Sequence, residues 1–179
     1  MLTVENAALV VIDVQGKLSH LMYEKEKLFE NLRKIITGAR ILEIPVVLTE
    51  QNPEGLGCTI PEIADLLPDV QPIPKFSFSC CGEKRFIREL EASKRKQILI
   101  VGIESHVCIY QTTMDLLGAG YEVQVVADAV SSRTAGNREL GLEKMKSEGA
   151  RLTGVEMALF ELLRVAEGAK FKGILKVVK

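Results

Sequence analysis

The sequence predicts an α/β fold with three layers, in which a six-stranded parallel sheet lies between two layers of helices. Short apolar segments alternate with segments of helical periodicity about six times along the chain. The apolar segments are rich in β-branched residues and mostly lack in-out alternation, so both faces of the sheet should be covered. The helices supply the right-handed crossovers that parallel strands require. A Rossmann-like sheet of this kind has the strand order 3-2-1-4-5-6.

The first 50 residues predict a strand, a helix and a second strand. Residues 7–13 are apolar and β-branched until the terminal Asp13, which is typical of a buried strand. Residues 24–43 place leucine, isoleucine and alanine at helical spacing and predict an amphipathic helix. Residues 44–50, "IPVVLTE", then predict the second strand.

Residues 51–74 form a long, proline-rich and glycine-rich connection that predicts mostly irregular structure. We expect one short helix near residues 61–67. The extended segment 70–75, "VQPIPK", follows and ends at Lys75. A connection of this length within a compact domain is often functional.

The remainder continues the alternation. Helices are predicted over residues 82–94, 107–117, 135–148 and 155–166, and strands over 97–103, 121–130 and 150–154. The lysine-rich segment 170–179 predicts either a solvated terminus or an oligomer contact. The length of 179 residues and the lack of a linker or repeat predict a single domain, residues 1–179.

The composition excludes several classes of function. The net charge is −1, with 47% hydrophobic and 26% charged residues, so no basic excess favours a nucleic-acid or membrane partner. No signal peptide or membrane-spanning run precedes the first strand, and we therefore expect a cytoplasmic protein. Its four cysteines should be free thiols, because such compartments are reducing.

Three chemically active residue types follow predicted strands: Asp13, Lys75 and Cys108. In parallel sheets, ligands bind beyond the carboxyl ends of the strands. A nearby cation or helix N-terminus lowers the pKa of a thiol, and a carboxylate accepts and returns a proton. The three residues are thus the parts of an activated cysteine. Each also has a simpler interpretation: Cys108 as a packing residue, Asp13 as a turn cap, and Lys75 as an exposed loop residue.

The segments "VVIDVQ", "PK" and "VGIESHVC" together resemble the isochorismatase-like cysteine hydrolases, which include nicotinamidases and N-carbamoylsarcosine amidases. The resemblance extends from about residue 7 to about residue 165. The segments "TEQNPEGLG", "GIESHVCIYQT" and "DAVSSR" are most similar to the isochorismatase domain-containing subgroup.

The resemblance implies a catalytic triad of Asp13, Lys75 and Cys108. It also implies a cis peptide bond between Ile103 and Glu104, and an oxyanion hole formed by the N–H groups of Glu104 and Cys108. The implied activity is hydrolysis of a C–N bond (amide or carbamoyl) or an ester bond in a small molecule, through a thioester on Cys108.

The sequence departs from the nicotinamidases at their metal site. Those enzymes hold a metal with an Asp and two His, largely from the loop after the second strand. The corresponding loop here contains no histidine, and Glu50 alone supplies too few ligands. We therefore predict no metal and no cofactor. The resemblance and the adjacent positions suggest five substrate-pocket candidates: Gln15, Phe76, Ser79, Ser105 and His106.

Two further expectations concern function and assembly. The alternative to a hydrolase is a catalytically idle scaffold of this fold, or a sensor of thiol oxidation through Cys108. The resemblance also implies a homo-oligomer, either a dimer or a tetramer.

Overall fold

The computed structural model of the protein covers residues 1–179 and contains one six-stranded parallel sheet. The strand order β3-β2-β1-β4-β5-β6 confirms the predicted order. The strands are β1 (Ala7–Ile12), β2 (Val46–Gln51), β3 (Ile73–Lys75), β4 (Gln97–Ile103), β5 (Glu122–Ser131) and β6 (Arg151–Thr153).

Helices cover both faces of this sheet. They are α1 (Gly16–Ser19), α2 (Lys25–Leu42), α3 (Pro53–Leu56), α4 (Pro61–Ala64), α5 (Lys84–Ser93), α6 (Tyr110–Gly118), α7 (Ala135–Ser147), α8 (Val155–Leu163) and α9 (Gly168–Val178). Two further turns matter for the site. The cysteine turn is a 3-10 turn at Cys80–Gly82. The nucleophile turn, which carries the predicted nucleophile Cys108, is one turn of π-helix at Ser105–Ile109.

The hydrophobic core has two parts, one on each face of the sheet. Alternate residues of β1 contribute to different parts: Leu9 and Val11 face the cluster with α2 and α8, whereas Val10 and Ile12 face the cluster with α5, α6 and α7. All residues of β1 are buried. This two-sided burial explains why the strand sequence is a continuous apolar run.

The connection between β2 and β3 contains the short helix expected near residues 61–67. This helix, α4, is a single turn at Pro61–Ala64 and is therefore shorter than predicted. The short helices α1 and α3 were not predicted. Both are single turns of four residues, too short to show hydrophobic periodicity.

The expectation that residues 170–179 form a solvated terminus was wrong. Residues 170–178 belong to α9, which packs on α2. Whether they contribute to an oligomer contact stays a prediction. Ile174 is fully buried, and the missing side chain of Gly173 leaves room for Ile41. Lys170 also donates to Glu43 at 2.7 Å. The lysines stay at the surface while apolar residues at helical spacing face the core.

Gly102 brings the ends of β1 and β4 close together. Its φ is +115°, and a Cβ at this position would collide with the backbone of Ile12. Only glycine accepts this conformation without strain. The backbone that leads into the nucleophile turn therefore lies directly beside the residue that follows β1, which is Asp13.

Candidate active site

Asp13, Lys75 and Cys108 all lie at the carboxyl edge of the sheet and all are buried, with 3%, 1% and 7% exposure. Asp13 directly follows β1, Lys75 ends β3, and Cys108 lies within the nucleophile turn after β4. The simpler interpretation of Lys75 as an exposed loop residue is therefore wrong.

Asp13 has a partner for each carboxylate oxygen. Lys75 Nζ lies 2.7 Å from Oδ2, and Thr49 Oγ1 donates to Oδ1 at 2.8 Å. A buried charge is costly unless it is paired and hydrogen-bonded, and here both conditions are met. Asp13 also has a φ of +54°, a conformation that aspartate tolerates better than most residues.

Lys75 reaches Asp13 across the intervening strand β2. In that strand Gln51 pairs with Lys75, and its side-chain Oε1 accepts from Nζ at 2.7 Å. The carbonyl oxygens of Phe78 and Ser77 lie 3.0 and 3.2 Å from the same nitrogen. The ammonium group is thus surrounded by acceptors, which fixes it beside the Asp13 carboxylate.

The pKa of the Cys108 thiol is raised, whereas the sequence argument expected a cation to lower it. Burial is the main cause, and the negative charge of Asp13 is the next. Lys75 acts in the opposite direction but with less effect, since its charge is already balanced by Asp13. The raised pKa favours the protonated form of the thiol, which lies beside the Asp13 side chain.

The backbone at Glu104 has an unusual arrangement. The Ile103–Glu104 peptide bond is cis, as the resemblance implied. The Glu104 carbonyl accepts from the N–H groups of Val107 and Ile109, at 3.0 and 3.2 Å, and this closes the nucleophile turn. The Glu104 N–H lies outside the strand and the turn and donates to no other backbone group.

Three of the pocket candidates lie on the loops that follow β1 and β3. Gln15 is buried, so a surface role is excluded, and its amide binds the backbone of Gln51 and Gly57. It therefore holds two loops together and does not contact the Asp13 carboxylate. Phe76 is 77% exposed, which excludes a core role. The hydroxyl of Ser79 donates to Asp115 on α6 at 2.5 Å.

The other two candidates belong to the nucleophile turn. Ser105 is fully buried, and its hydroxyl has no hydrogen-bond partner. The ring nitrogen Nδ1 of His106 lies 3.0 Å from the hydroxyl of Ser132, on the loop after β5. His106 is therefore oriented towards that loop.

Glu50 lies in β2 and binds Thr59 on the segment that follows. Its Oε1 accepts from both the N–H and the hydroxyl of Thr59, at 2.6 and 2.7 Å. No group of three or more His, Cys, Asp or Glu side chains is placed to hold a metal ion.

The sequence argument missed several residues at this edge. Thr49 and Gln51, both at the end of β2, complete the contacts of Asp13 and Lys75. Arg133, on the loop after β5, donates to the carboxylate of Glu104. The two-residue periodicity of a β-strand could have revealed Thr49 and Gln51, because residues two positions apart in a strand lie on the same face of the sheet.

The six-stranded parallel sheet, with helices on both faces, defines an α/β protein with the strand order of a Rossmann-like fold. Residues 7–157 match the model of the isochorismatase domain. The chain therefore belongs to the isochorismatase family, whose members are generally hydrolases.

Known proteins agree with this assignment over nearly the whole chain. It is 39% identical to the secreted isochorismatase effector Isc1 of Phytophthora sojae, covering 97% of this chain and 85% of that protein. The solved structure of the MAR1 ribonuclease from Caenorhabditis elegans matches with a TM-score of 0.93 and 37% identity, covering 99% and 91%.

A more distant structure shares the fold. The YcaC protein of Escherichia coli, described as an octameric hydrolase of unknown specificity, matches with a TM-score of 0.93 and 24% identity. The match covers 98% of this chain and 88% of that one. None of the helices is long and apolar enough to cross a membrane.

Proposed function

We propose that the protein is a metal-independent cysteine hydrolase that cleaves a C–N bond (amide or carbamoyl) or an ester bond in a small molecule through a thioester on Cys108. One observation carries the proposal. The buried thiol lies beside a buried carboxylate whose charge is held by Lys75 and Thr49. This is a nucleophile with a proton acceptor whose position is fixed.

In the first step, the sulfur of Cys108 forms a bond to the carbonyl carbon of the substrate. The thiol proton moves to Asp13, and the carbonyl π electrons move to oxygen. The N–H groups of Glu104 and Cys108 stabilise that oxyanion. The support for this role is that the Glu104 N–H has no other backbone acceptor.

In the second step, Asp13 returns the proton to the leaving nitrogen or oxygen as its bond to carbon breaks. A thioester on Cys108 remains. Asp13 then takes a proton from water, the hydroxide attacks the thioester, and the sulfur leaves and regains the proton. Asp13 therefore acts as a base and then as an acid in each half of the reaction.

Lys75 holds Asp13 in position for this cycle. Its ammonium group donates to the buried Asp13 carboxylate at 2.7 Å, and this pairing offsets the cost of burying both charges. It also holds the carbonyls of Ser77 and Phe78, which lead into the cysteine turn. Its role is electrostatic and it does not contact the reacting carbonyl.

Metal independence is supported by the loop after β2. The buried carboxylate that precedes this loop, Glu50 in β2, is already engaged by Thr59, and Glu54 in the loop is exposed. The alternative role as a sensor of oxidation is disfavoured by the raised pKa of Cys108, because peroxides react with thiolates.

We also propose a homo-oligomer and a cytoplasmic location. The E. coli YcaC protein is described as octameric, and exposed aromatic residues such as Phe76 and Phe78 could contribute to contacts between copies. All four cysteines are free, which suits a reducing compartment.

The proposal is tested with a panel of small amides, carbamoyl compounds and esters, compared between the wild type and Cys108→Ala. RNA is included because the C. elegans relative is described as a ribonuclease. We expect turnover of at least one small substrate by the wild type, with a mass increase on Cys108 when the reaction is quenched early. Turnover that persists in Cys108→Ala, or cleavage of RNA alone, would contradict the proposal.

A further inference from the structure

The carboxylate of Glu104, directly after β4, is hydrogen-bonded to Arg133 on the loop after the neighbouring strand β5. Glu104 Oε2 accepts from the Arg133 backbone N–H at 2.9 Å and from its Nε at 3.2 Å. The Glu104 side chain is only 9% exposed, whereas the Arg133 side chain is 56% exposed. A mostly buried carboxylate thus receives both hydrogen bonds from one residue on a different loop.

This contact joins the turn after β4 to the loop after β5. A second contact joins the same two segments. It is made by His106, two residues after Glu104, with Ser132, the residue before Arg133. Helix α7 also packs closely on this turn. The backbone of Ser105 and His106 lies so near to Gly141 that a side chain there would collide with it. The nucleophile turn is therefore held from outside as well as by its own backbone hydrogen bonds.

We infer that Glu104 and Arg133 are positioning residues that hold the Glu104 N–H in place for the oxyanion. The inference rests on the proposed function. The Glu104 carboxylate and the Glu104 N–H belong to the same residue, so fixing the side chain restricts rotation of the backbone that carries the donor. Neither side chain forms a bond to the reacting atoms.

Two reactions of the Cys108 sulfur distinguish a role in positioning the oxyanion donor from a role in maintaining the fold. Acylation of Cys108 by p-nitrophenyl acetate passes through an oxyanion and needs the donor in place. Alkylation by iodoacetamide displaces iodide and forms no oxyanion. Loss of the contact should slow the first reaction and leave the second unchanged.

The experiment measures both rates at Cys108 by peptide mass spectrometry in the wild type and three variants. Arg133→Met removes the guanidinium group, and we expect acylation to slow by about 10- to 100-fold, somewhat less than the loss of a whole donor. The backbone N–H of residue 133 still donates to Glu104 in both Arg133 variants. Arg133→Lys also keeps the positive charge and should lie between Arg133→Met and the wild type. Glu104→Gln keeps an oxygen that accepts both hydrogen bonds and should remain close to the wild type.

Arg85→Met provides a matched control, since Arg85 Nε donates to Glu89 at 2.7 Å on α5, away from the nucleophile turn. It should change neither rate. Thermal unfolding of each variant checks that the fold is intact.

The outcomes are distinguishable. Equal acylation rates in the wild type and Arg133→Met would overturn the inference alone. A parallel fall in acylation and alkylation would also overturn it, because that result indicates a structural role. A wild type that is alkylated but never acylated at Cys108 would overturn the proposed function and this inference with it.

Discussion

The nucleophile turn and the cysteine turn are instructive to compare, because each follows a strand and places a buried thiol near Asp13. Cys108 lies in the first and Cys80 in the second. The pKa of both thiols is raised, to about 12 for Cys80, and burial is the main cause in each case. The charge of Asp13 also raises both pKa values.

The two turns differ in access and in the use of their backbone donors. Cys80 has no exposed surface, its sulfur lies 3.7 Å from Thr49 Oγ1, and its N–H donates to Thr112 at 3.0 Å. Cys108 retains 7% exposure, and the Glu104 N–H in front of it has no backbone acceptor. The proposed nucleophile Cys108 is therefore distinguished from Cys80 by its solvent exposure and by the free N–H of Glu104 nearby. The pKa of the thiol does not distinguish the two.

The strongest test of this comparison replaces each thiol in turn. Cys108→Ala removes the nucleophile, and we expect turnover to fall by about 1,000-fold or more. Cys80→Ala should retain most of the activity, although it leaves a small cavity and lowers stability. Steady-state kinetics on the best substrate of the panel measures both. Equal losses in the two variants would show that the turns are not functionally different.

Lys75 pairs with Asp13 and binds the carbonyls just before the cysteine turn, and its removal should have the next largest effect. Lys75→Met leaves the buried Asp13 carboxylate without its cation, and we expect the free energy of unfolding to fall by about 3–5 kcal/mol. Lys84→Met, at an exposed lysine beside the cysteine turn, should change it by less than about 0.5 kcal/mol. Urea unfolding of both variants provides the measurement. A similar small change in both would mean that the buried ion pair is not needed for stability.

Thr49 lies between Asp13 and the cysteine turn, since its hydroxyl donates to Asp13 and lies beside the sulfur of Cys80. Thr49→Val leaves one carboxylate oxygen without its donor, and we expect a loss of about 1.5–3 kcal/mol in the free energy of unfolding. Thr113 offers a matched control, because its buried hydroxyl has no partner. Thr113→Val should leave stability unchanged or raise it. If urea unfolding shows a larger loss of stability for Thr113→Val than for Thr49→Val, the hydrogen bond from Thr49 to Asp13 does not contribute as assigned.

Much of this arrangement could be predicted from the sequence. Strand–helix alternation predicted the sheet order, and the positions of Asp13, Lys75 and Cys108 after strands predicted that they would lie at one edge. This succeeds because the carboxyl ends of parallel strands meet at the same edge. The placement depends on topology alone.

The contacts between side chains could not be predicted in the same way. The bond from Arg133 to Glu104 joins residues 29 positions apart and depends on how two loops meet. The pKa of Cys108 depends on burial, which a sequence shows only indirectly, so the effect of the nearby cation was overestimated. The helix α9 was missed because its lysines obscured the spacing of its apolar residues.

The smallest expected effect is a difference in the order of alkylation. A raised pKa keeps a thiol protonated at neutral pH, and iodoacetamide reacts with the thiolate. At pH 7.5 the exposed Cys58 should therefore react before Cys108, by about tenfold or more, and the fully buried Cys80 should not react without unfolding.

At pH values below the pKa of a thiol, the fraction present as thiolate grows about tenfold per pH unit. The rate of alkylation at Cys108 should therefore keep rising between pH 7.5 and pH 9.5. Peptide mass spectrometry with time-resolved quenching gives each rate. If Cys108 reacts first at pH 7.5 and its rate is independent of pH, its thiol is ionised in the resting state. That result would remove the need for Asp13 as the proton acceptor and would favour the role as a sensor of oxidation.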